Sequence, residues 1–374
     1  MDIPFAGPLL AWYVRRLSNR RPVRPLVEFK SEEVRRILLV LTTGIGDAIF
    51  SSAVFSSIRQ SMPRAEIALL CRSSWGDLFA DDPNLDVVIP YPGKFRSFFR
   101  VVRSLRAFSP DLAVVLHGND PDVIPLCYLA GSQFIVRIPT TGTRFRDLLS
   151  NRARHEDESI VPGLHYVDNR VRILNTLGIP ILKRSPAICV DSGRIERIAE
   201  RLSRSLGHRH YWVLHIHAAD PYKTVPMVLA EALIKGALRA FPDYDVVLTG
   251  GPNDRAALLA LAPKSVADRV FVAAGEFNLA DTAACLAGAS AVVGPDTGVL
   301  HLAAALDRPV VGLFAPTKAA FVGPRSPSRY PQVIEKPLTC DPCMQKKCPH
   351  LPVKCMAQFE SGEVLAALAR SLAL

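Results

Sequence analysis

The chain has 374 residues, 49% of them hydrophobic and 21% charged. That balance excludes a disordered or fibrous protein, and the length exceeds the roughly 250–300 residues over which one core keeps growing, so two domains are expected. A formal charge of +10 directs the protein towards polyanions: nucleic acid, phosphorylated substrates or an anionic membrane face.

Residues 1–34 stand apart as an apolar and basic extension. PFAGPLLAWYV is followed by RRLSNRRPVR, the reverse of the order in a secretory signal. The apolar run is also far shorter than the roughly 20 residues that span a bilayer. Either this segment lies on an anionic membrane surface through Trp12, Tyr13 and its arginines, or it is a solvated arm. Without an export signal the expected compartment is the reducing cytoplasm. Cys71, Cys127, Cys189 and Cys285 then read as small buried side chains, not disulfides.

Strand-like and helix-like segments alternate twice. RRILLVLT is a short apolar strand, buried on both faces. DAIFSSAVFSSIRQSM follows as a helix, with Ile49, Val54, Ile58 and Met62 on one side. AEIALLC, LDVVIPY, DLAVVLHG and QFIVRI are further strands. WGDLFADD, the basic KFRSFFRVVRSLRAF and PDVIPLCYLAG lie between them. Residues 144–175 read as helical and charged, and Leu177-Gly178-Ile179-Pro180 ends that stretch.

After a Pro-rich linker over 179–192, the helix RIERIAERLSRSLG leads into a second series. YWVLHIH, YDVVLTGG, RVFVAAG, SAVVGPD and RPVVGLFAP read as strands. VPMVLAEALIKGALRAF, NDRAALLALA, LADTAACLAGA and TGVLHLAAAL read as helices. The pattern predicts two doubly wound, parallel α/β domains, at 35–178 and 193–335, with a Cys-rich segment and terminal helix over 336–374. In such sheets ligands bind at the carboxyl ends of strands, and two facing domains would enclose a cleft. The informative residues are therefore those just after strands.

Four such loops stand out. Thr42-Thr43-Gly44-Ile45-Gly46-Asp47 follows the first strand and is neither a dinucleotide fingerprint nor a P-loop. Its glycines allow a sharp turn and close approach of a ligand. Asp47 either caps the helix or accepts a proton from a substrate hydroxyl. In LHIHAADPYKTVP, Lys223 either neutralises a phosphate or is a solvated loop lysine. In LTGGPNDR, Gly251 and Asp254 follow a strand, and Asp254 either reaches a ribose or caps its own helix. In GPDTGVLHLAAAL, Asp296 ends a strand, and Thr297 and Gly298 open a helix whose amides suit a diphosphate. His301 lies one turn further on. There the alternatives are a capping Asp296 and a packed core histidine. Thr317 closes the next strand.

In this order, G-I-G-D, the lysine near the restart, G-G-P-N-D, D-T-G-V-L-H-L-A-A-A-L and P-V-V-G-L-F-A-P-T resemble the family 9 glycosyltransferases, the bacterial heptosyltransferases of lipopolysaccharide core assembly. The resemblance spans about residues 36–360 and is most specific over Asp296–Leu302. It implies the two-domain GT-B fold and an inverting transfer, without a catalytic metal, from an ADP-heptose or related ADP-sugar. The acceptor implied is lipid A or core oligosaccharide, with peripheral contact at the inner membrane and no nucleic acid.

Carried across by position, Asp47 matches the catalytic base and Lys223 the lysine at the donor phosphates. Gly251, Asp254, Asp296, Thr297, Gly298 and His301 match the nucleotide-sugar side. Thr43, Gly44 and Gly46 fall on the acceptor side. Arg144, like Arg137, Arg146 and Arg152, is either an acceptor contact or a surface arginine. HAAD at 217–220 departs from the pattern, with alanines where many relatives carry hydroxyl donors. Residues 1–34 lie outside it.

CDPCMQKKCPHLPVKC places Cys340, Cys343, Cys348 and Cys355 in one short segment. Four close thiols make either a structural zinc or iron site, with His350 beside it, or free or pairing thiols. Two other functions share these features. One is a non-catalytic nucleotide-sugar-binding or assembly protein on the same fold. The other is a transferase acting on a protein acceptor. Nucleic-acid binding is disfavoured: aromatics are 7% of the chain and no stacking platform or recognition helix is visible.

Overall fold

The computed structural model describes residues 6–118, 120–138, 145–152, 161–206, 210–262, 268–341, 343–350 and 352–373. The chain divides into two compact units, residues 1–186 and 187–374; the division falls within the 179–192 stretch.

In the first unit the described elements run α1 (Ala6–Ser18), β1 (Arg36–Leu41), α2 (Ile45–Ser52), α3 (Phe55–Ser61), β2 (Glu66–Arg72), β3 (Val87–Tyr91), α4 (Phe98–Phe108), β4 (Leu112–His117), α5 (Val123–Ala130), β5 (Phe134–Arg137) and α6 (Tyr166–Thr176). The sheet order is β3-β2-β1-β4-β5, and every pairing is parallel. β1 sits at the centre, with Ile37 opposite Ile67 on one side and Leu112 on the other. Its apolar run is buried because helices cover both faces of a parallel sheet. On one face Leu38, Val40, Ala113 and Val115 share a core with Val101 and Leu105 of α4 and Ile124 and Cys127 of α5.

Three expectations change here. Residues 47–62 form two helices instead of one. The hydroxyls of Ser51 and Ser52 donate to the carbonyls of Asp47 and Ile49, and such back-bonding competes with the helix ladder where α2 ends. Ile49, Val54, Ile58 and Met62 are buried all the same. The described part of 144–175 is mostly turn until α6 begins at Tyr166. Finally, residues 6–23 are not a solvated arm. Val14 and Val23 lie in the first unit's core, and Leu10 and Leu17 pack against it.

The second unit runs α7 (Ser192–Leu206), β6 (His210–His215), α8 (Met227–Ala240), β7 (Tyr244–Thr249), α9 (Arg255–Leu261), β8 (Val270–Val272), α10 (Leu279–Gly288), β9 (Val292–Pro295), α11 (Gly298–Ala305), β10 (Val310–Phe314), α12 (Ala319–Val322), β11 (Gln332–Glu335) and α13 (Ser361–Leu372). Its six strands are ordered β11-β10-β9-β6-β7-β8, again all parallel. β11 escapes the sequence pattern because it is a short, half-exposed edge strand with polar ends. The terminal helix α13 contributes Val364, Ala367 and Leu368 to the core that also holds Leu233 and Ile234 of α8. Each sheet reverses its direction of strand addition once, between β1 and β4 in the first unit and between β6 and β9 in the second. Such switch points open a crevice at the strands' carboxyl ends.

Candidate functional site

At the first switch point, Gly44 caps α2 in extended backbone (φ −64°, ψ 157°), and Asp47 stands in the first turn. A Cβ built on Gly44 would meet nothing within 4 Å. This glycine is therefore required neither by strain nor by crowding, contrary to the sharp turn expected of it. Asp47 does not serve as the cap; its Oδ1 accepts a hydrogen bond from the guanidinium of Arg170 at 3.0 Å. Arg170 projects from α6 and is nearly buried, whereas Asp47 keeps 32% of its side chain exposed. Burial lowers the Arg170 pKa, and the Asp47 carboxylate opposes that.

His117 ends β4. Its Nδ1 lies 3.8 Å from Asp47 Oδ2 and shares a hydrogen bond with the Thr43 hydroxyl. Burial, with Arg170 adding to it, pushes this imidazole down to about 4, so at neutral pH it is uncharged. Beside this group, Arg72 of β2 donates to the Thr42 carbonyl at 2.6 Å and to both carboxylate oxygens of Asp120. It thereby ties the loop after β1 to the loop after β4. The structure thus joins Thr43 and Asp47 to two residues that the sequence reading did not select, His117 and Arg170. His117 is at a strand end and could have been found by the strand-end rule. Arg170 lies 123 positions from Asp47 on a helix with no motif. Arg144 lies outside the described residues. Arg137, at the end of β5, has its pKa lowered by burial and then by Arg170.

At the second switch point Asp296 follows β9, with 8% of its side chain exposed. Its Oδ2 accepts from Lys223 Nζ at 2.7 Å and from the Thr317 hydroxyl at 2.8 Å. Its Oδ1 is 3.0 Å from His301 Nε2. Burial pushes the carboxyl pKa up, but the hydrogen bonds and charges of His301 and Lys223 outweigh it and hold it at about 2. Asp296 is therefore not the helix cap; Thr297 is, its hydroxyl accepting from the Leu300 amide at 3.4 Å. Lys223 is not a solvated loop lysine either. It sits in the turn Pro221–Lys223 with its ammonium against Asp296. An ammonium has three N–H donors, and this contact uses one.

Gly251 and Asp254 form a separate pair. The Gly251 amide donates to Asp254 Oδ2 at 2.8 Å, as in the capping reading, and Asp254 Oδ1 lies 3.7 Å from His217 Nδ1.

Among the described residues, no group of three or more His, Cys, Asp or Glu has the geometry to hold a metal ion. Cys355 is buried in the second unit's core, while Cys340, Cys343 and Cys348 are partly exposed. Cys348 Sγ turns to the His350 carbonyl, 3.9 Å away. Cys355 nevertheless lies close enough to Cys343 and Cys348 for their charges to add to burial in raising its thiol pKa. The segment packs near the Lys223 turn, with Lys346 3.5 Å from Asp220.

Comparison with known proteins gives a consistent result. A family model described as glycosyltransferase family 9 (heptosyltransferase) matches residues 144–354, just over half of the chain. The lipopolysaccharide heptosyltransferase 2 of Salmonella typhimurium is 28% identical over 326 residues, covering 78% of this chain and 86% of that protein. The solved ADP-heptose lps heptosyltransferase II of E. coli superposes with a TM-score of 0.73 at 22% identity, covering 90% of this chain and 98% of that one. The E. coli heptosyltransferase WaaC with ADP gives 0.66 at 19% identity, covering 90% and 99%. The two parallel α/β units are those of the GT-B fold. No helix among the described residues is long and apolar enough to cross a membrane.

Proposed function

Because the chain belongs to glycosyltransferase family 9, the heptosyltransferase family, we propose that it transfers a heptose with inversion from an ADP-sugar to a hydroxyl of a lipopolysaccharide core acceptor. The observation that carries this reading is the half-open Asp47 carboxylate, held by Arg170 at the end of β1.

Asp47 takes the proton from the acceptor hydroxyl. The oxygen forms its bond to the anomeric carbon on the face opposite the diphosphate. The bond from that carbon to the phosphate oxygen breaks, and its electron pair leaves with ADP. The transition state has oxocarbenium character, as in glycoside hydrolysis. Arg170 fixes the carboxylate by one oxygen and leaves the other for the proton. His117, uncharged at neutral pH, adds no cation there. The open space beside Gly44 leaves backbone accessible to an acceptor, a use of glycine that its own conformation does not require.

Negative charge that develops on the leaving diphosphate meets the two remaining donors of Lys223 and the first amides of α11 at Gly298 and Val299. Asp296, with His301 and Thr317, orients Lys223. Since Asp296 balances the lysine's charge, the helix amides carry a larger share than a free lysine would have left them. These cationic and dipolar groups take the role that a divalent metal has in other phosphate sites. Asp254 is placed on the ribose side only by position within the family pattern.

The test is nucleotide release by the purified protein from ADP-heptose and from UDP- and GDP-sugars, with and without heptose-deficient core, and with EDTA. Release of ADP that requires the acceptor and persists in EDTA is expected. Release from ADP-heptose alone, or loss of activity restored by Mg²⁺, would contradict the proposed acceptor step or the metal independence respectively.

A further inference from the structure

The arginine-rich start of the chain and the helix α4, some 80 residues apart in sequence, form one surface. α1 has two faces. Leu10, Val14 and Leu17 are the inward one, against the first unit's core. Leu9, Trp12 and Tyr13 are the outward one, exposed by 65%, 60% and 47%. Arg16 continues the outward stripe one turn on, its guanidinium 5.6 Å from the centre of the Trp12 ring. α4 repeats the design: Val101, Val102 and Leu105 are buried, while Phe99 is 86% exposed. Between the two helices lies an apolar groove of about 440 Å³, lined by Leu9, Tyr13, Phe98, Phe99 and Val102 among others.

The two segments that flank this groove carry charges of one sign. Neither α1 nor α4 contains an acidic residue, and the segments 6–24 and 87–110 contain none either. Arg15, Arg16 and Arg20 on the first segment and Arg96, Arg100 and Arg103 on the second are all exposed. The adjoining cavity, beyond Phe95, is lined by Arg15 and Arg146 and by a single carboxylate, Asp147.

We propose that this α1–α4 face is the surface by which the protein seats itself on an anionic lipid bilayer. Trp12, Tyr13 and Phe99 enter the headgroup boundary, and the arginines lie against the lipid phosphates. Aromatic rings with a polar edge and arginines with long apolar stems match the depth profile of that boundary. Large exposed apolar side chains in a predominantly positive field suit a negatively charged apolar phase. A protein interface is less well matched, because its core is depleted of charge. The face belongs entirely to the first unit and shares no residue with the Asp47 group.

The experiment is cosedimentation of the full chain with vesicles of phosphatidylcholine alone and of phosphatidylcholine with about one-third phosphatidylglycerol, at low and high salt. Binding to the anionic vesicles alone, weakened by salt, is expected. Trp75 and Trp212 are buried, so a blue shift of tryptophan emission on binding reports Trp12. The double charge reversal Arg16→Glu/Arg103→Glu should lower partitioning more than tenfold, since each basic residue near such a surface contributes about fivefold. Trp12→Ser/Phe99→Ser should abolish the emission shift while leaving a weaker, salt-sensitive binding. Neither variant should change acceptor-dependent ADP release with detergent-dispersed acceptor, which also shows that the variants are folded. Equal partitioning onto neutral and anionic vesicles, or no partitioning by the unaltered protein, overturns the proposal. So does self-association through this face without vesicle binding.

Discussion

The two units carry the same device in opposite conditions. Each has a carboxylate just after a strand at the switch point of a parallel sheet. In the first unit Asp47 remains 32% exposed and accepts one hydrogen bond from a cation, Arg170. In the second, Asp296 is 8% exposed and is engaged by Lys223, Thr317 and His301 together. Among the described residues, the first is hydrogen-bonded at one oxygen only, whereas the second is engaged at both. Position in the fold selects where a carboxylate goes, and its local partners decide whether it reacts or holds others in place.

The sharpest way to break this contrast is to remove each acid. Asp47→Asn keeps the shape and loses the base, so acceptor-dependent turnover should fall by about 10²–10⁴-fold. Its affinity for ADP should hardly change, and its melting temperature should fall only modestly, because Arg170 loses its counter-charge but keeps an amide oxygen to donate to. Asp296→Ala should act chiefly on stability and on ADP binding. It leaves the partly buried Lys223 ammonium without its counter-charge, a loss on the order of 3–5 kcal/mol. Calorimetric unfolding should show a marked drop, and ADP binding should weaken with it. If the two variants gave the same pattern, the division of roles between the acids would be wrong.

How much of this was legible in the sequence follows from what the sequence records. Ten of the eleven strands among the described residues stand out because parallel strands covered on both faces are continuous apolar runs. β11 does not, being a half-exposed edge of four residues with polar ends. Asp47, Lys223 and Asp296 are visible as polar residues just past those runs. Their partners are not. Arg170 reaches Asp47 from α6 only after folding, and no spacing along the chain encodes that. The capping roles stay open in the sequence for a related reason. Both Asp296 and Thr297 are good caps by residue type, and only tertiary partners, Lys223, Thr317 and His301, decide that Thr297 caps and Asp296 does not.

Titration separates the two regions further. His117 in the first unit is pushed down to about 4 by burial, with Arg170 adding to it. Its folded pKa is below the unfolded value near 6.5, so the unfolded chain binds the extra proton in between. Stability is then complete above about pH 6.5 and falls as pH drops towards 4, by roughly 3 kcal/mol. His215 in the second unit, held at about 4 chiefly by burial, acts in the same window and with the same sign. Asp296 acts lower. With its pKa held at about 2, its contribution is present above about pH 4 and is lost between about pH 4 and 2, on the order of 2 kcal/mol. His117→Gln should therefore lessen the slope of urea-derived stability between about pH 6.5 and 4, His215 keeping the remainder, and leave the more acidic limb intact, whereas Asp296→Asn should lessen only the latter. A curve altered in the other window would reverse the assignment.

The smallest effect tests the open space. Gly44→Ala meets no atom and no backbone strain, so stability should stay within about 0.5 kcal/mol of the original. If an acceptor lies against that backbone, its KM should rise several-fold while that of the donor holds steady. Unchanged constants for both would move the acceptor away from the β1 loop.

The most direct test of the central claim is single-turnover ADP release by Asp47→Asn, at saturating ADP-heptose and core acceptor, beside a measurement of its ADP affinity. The account predicts an ADP affinity equal to that of the unaltered protein and a chemical step slower by at least about 10²-fold. Turnover near the original rate, with the acceptor bound, would contradict it and would assign the proton to another group.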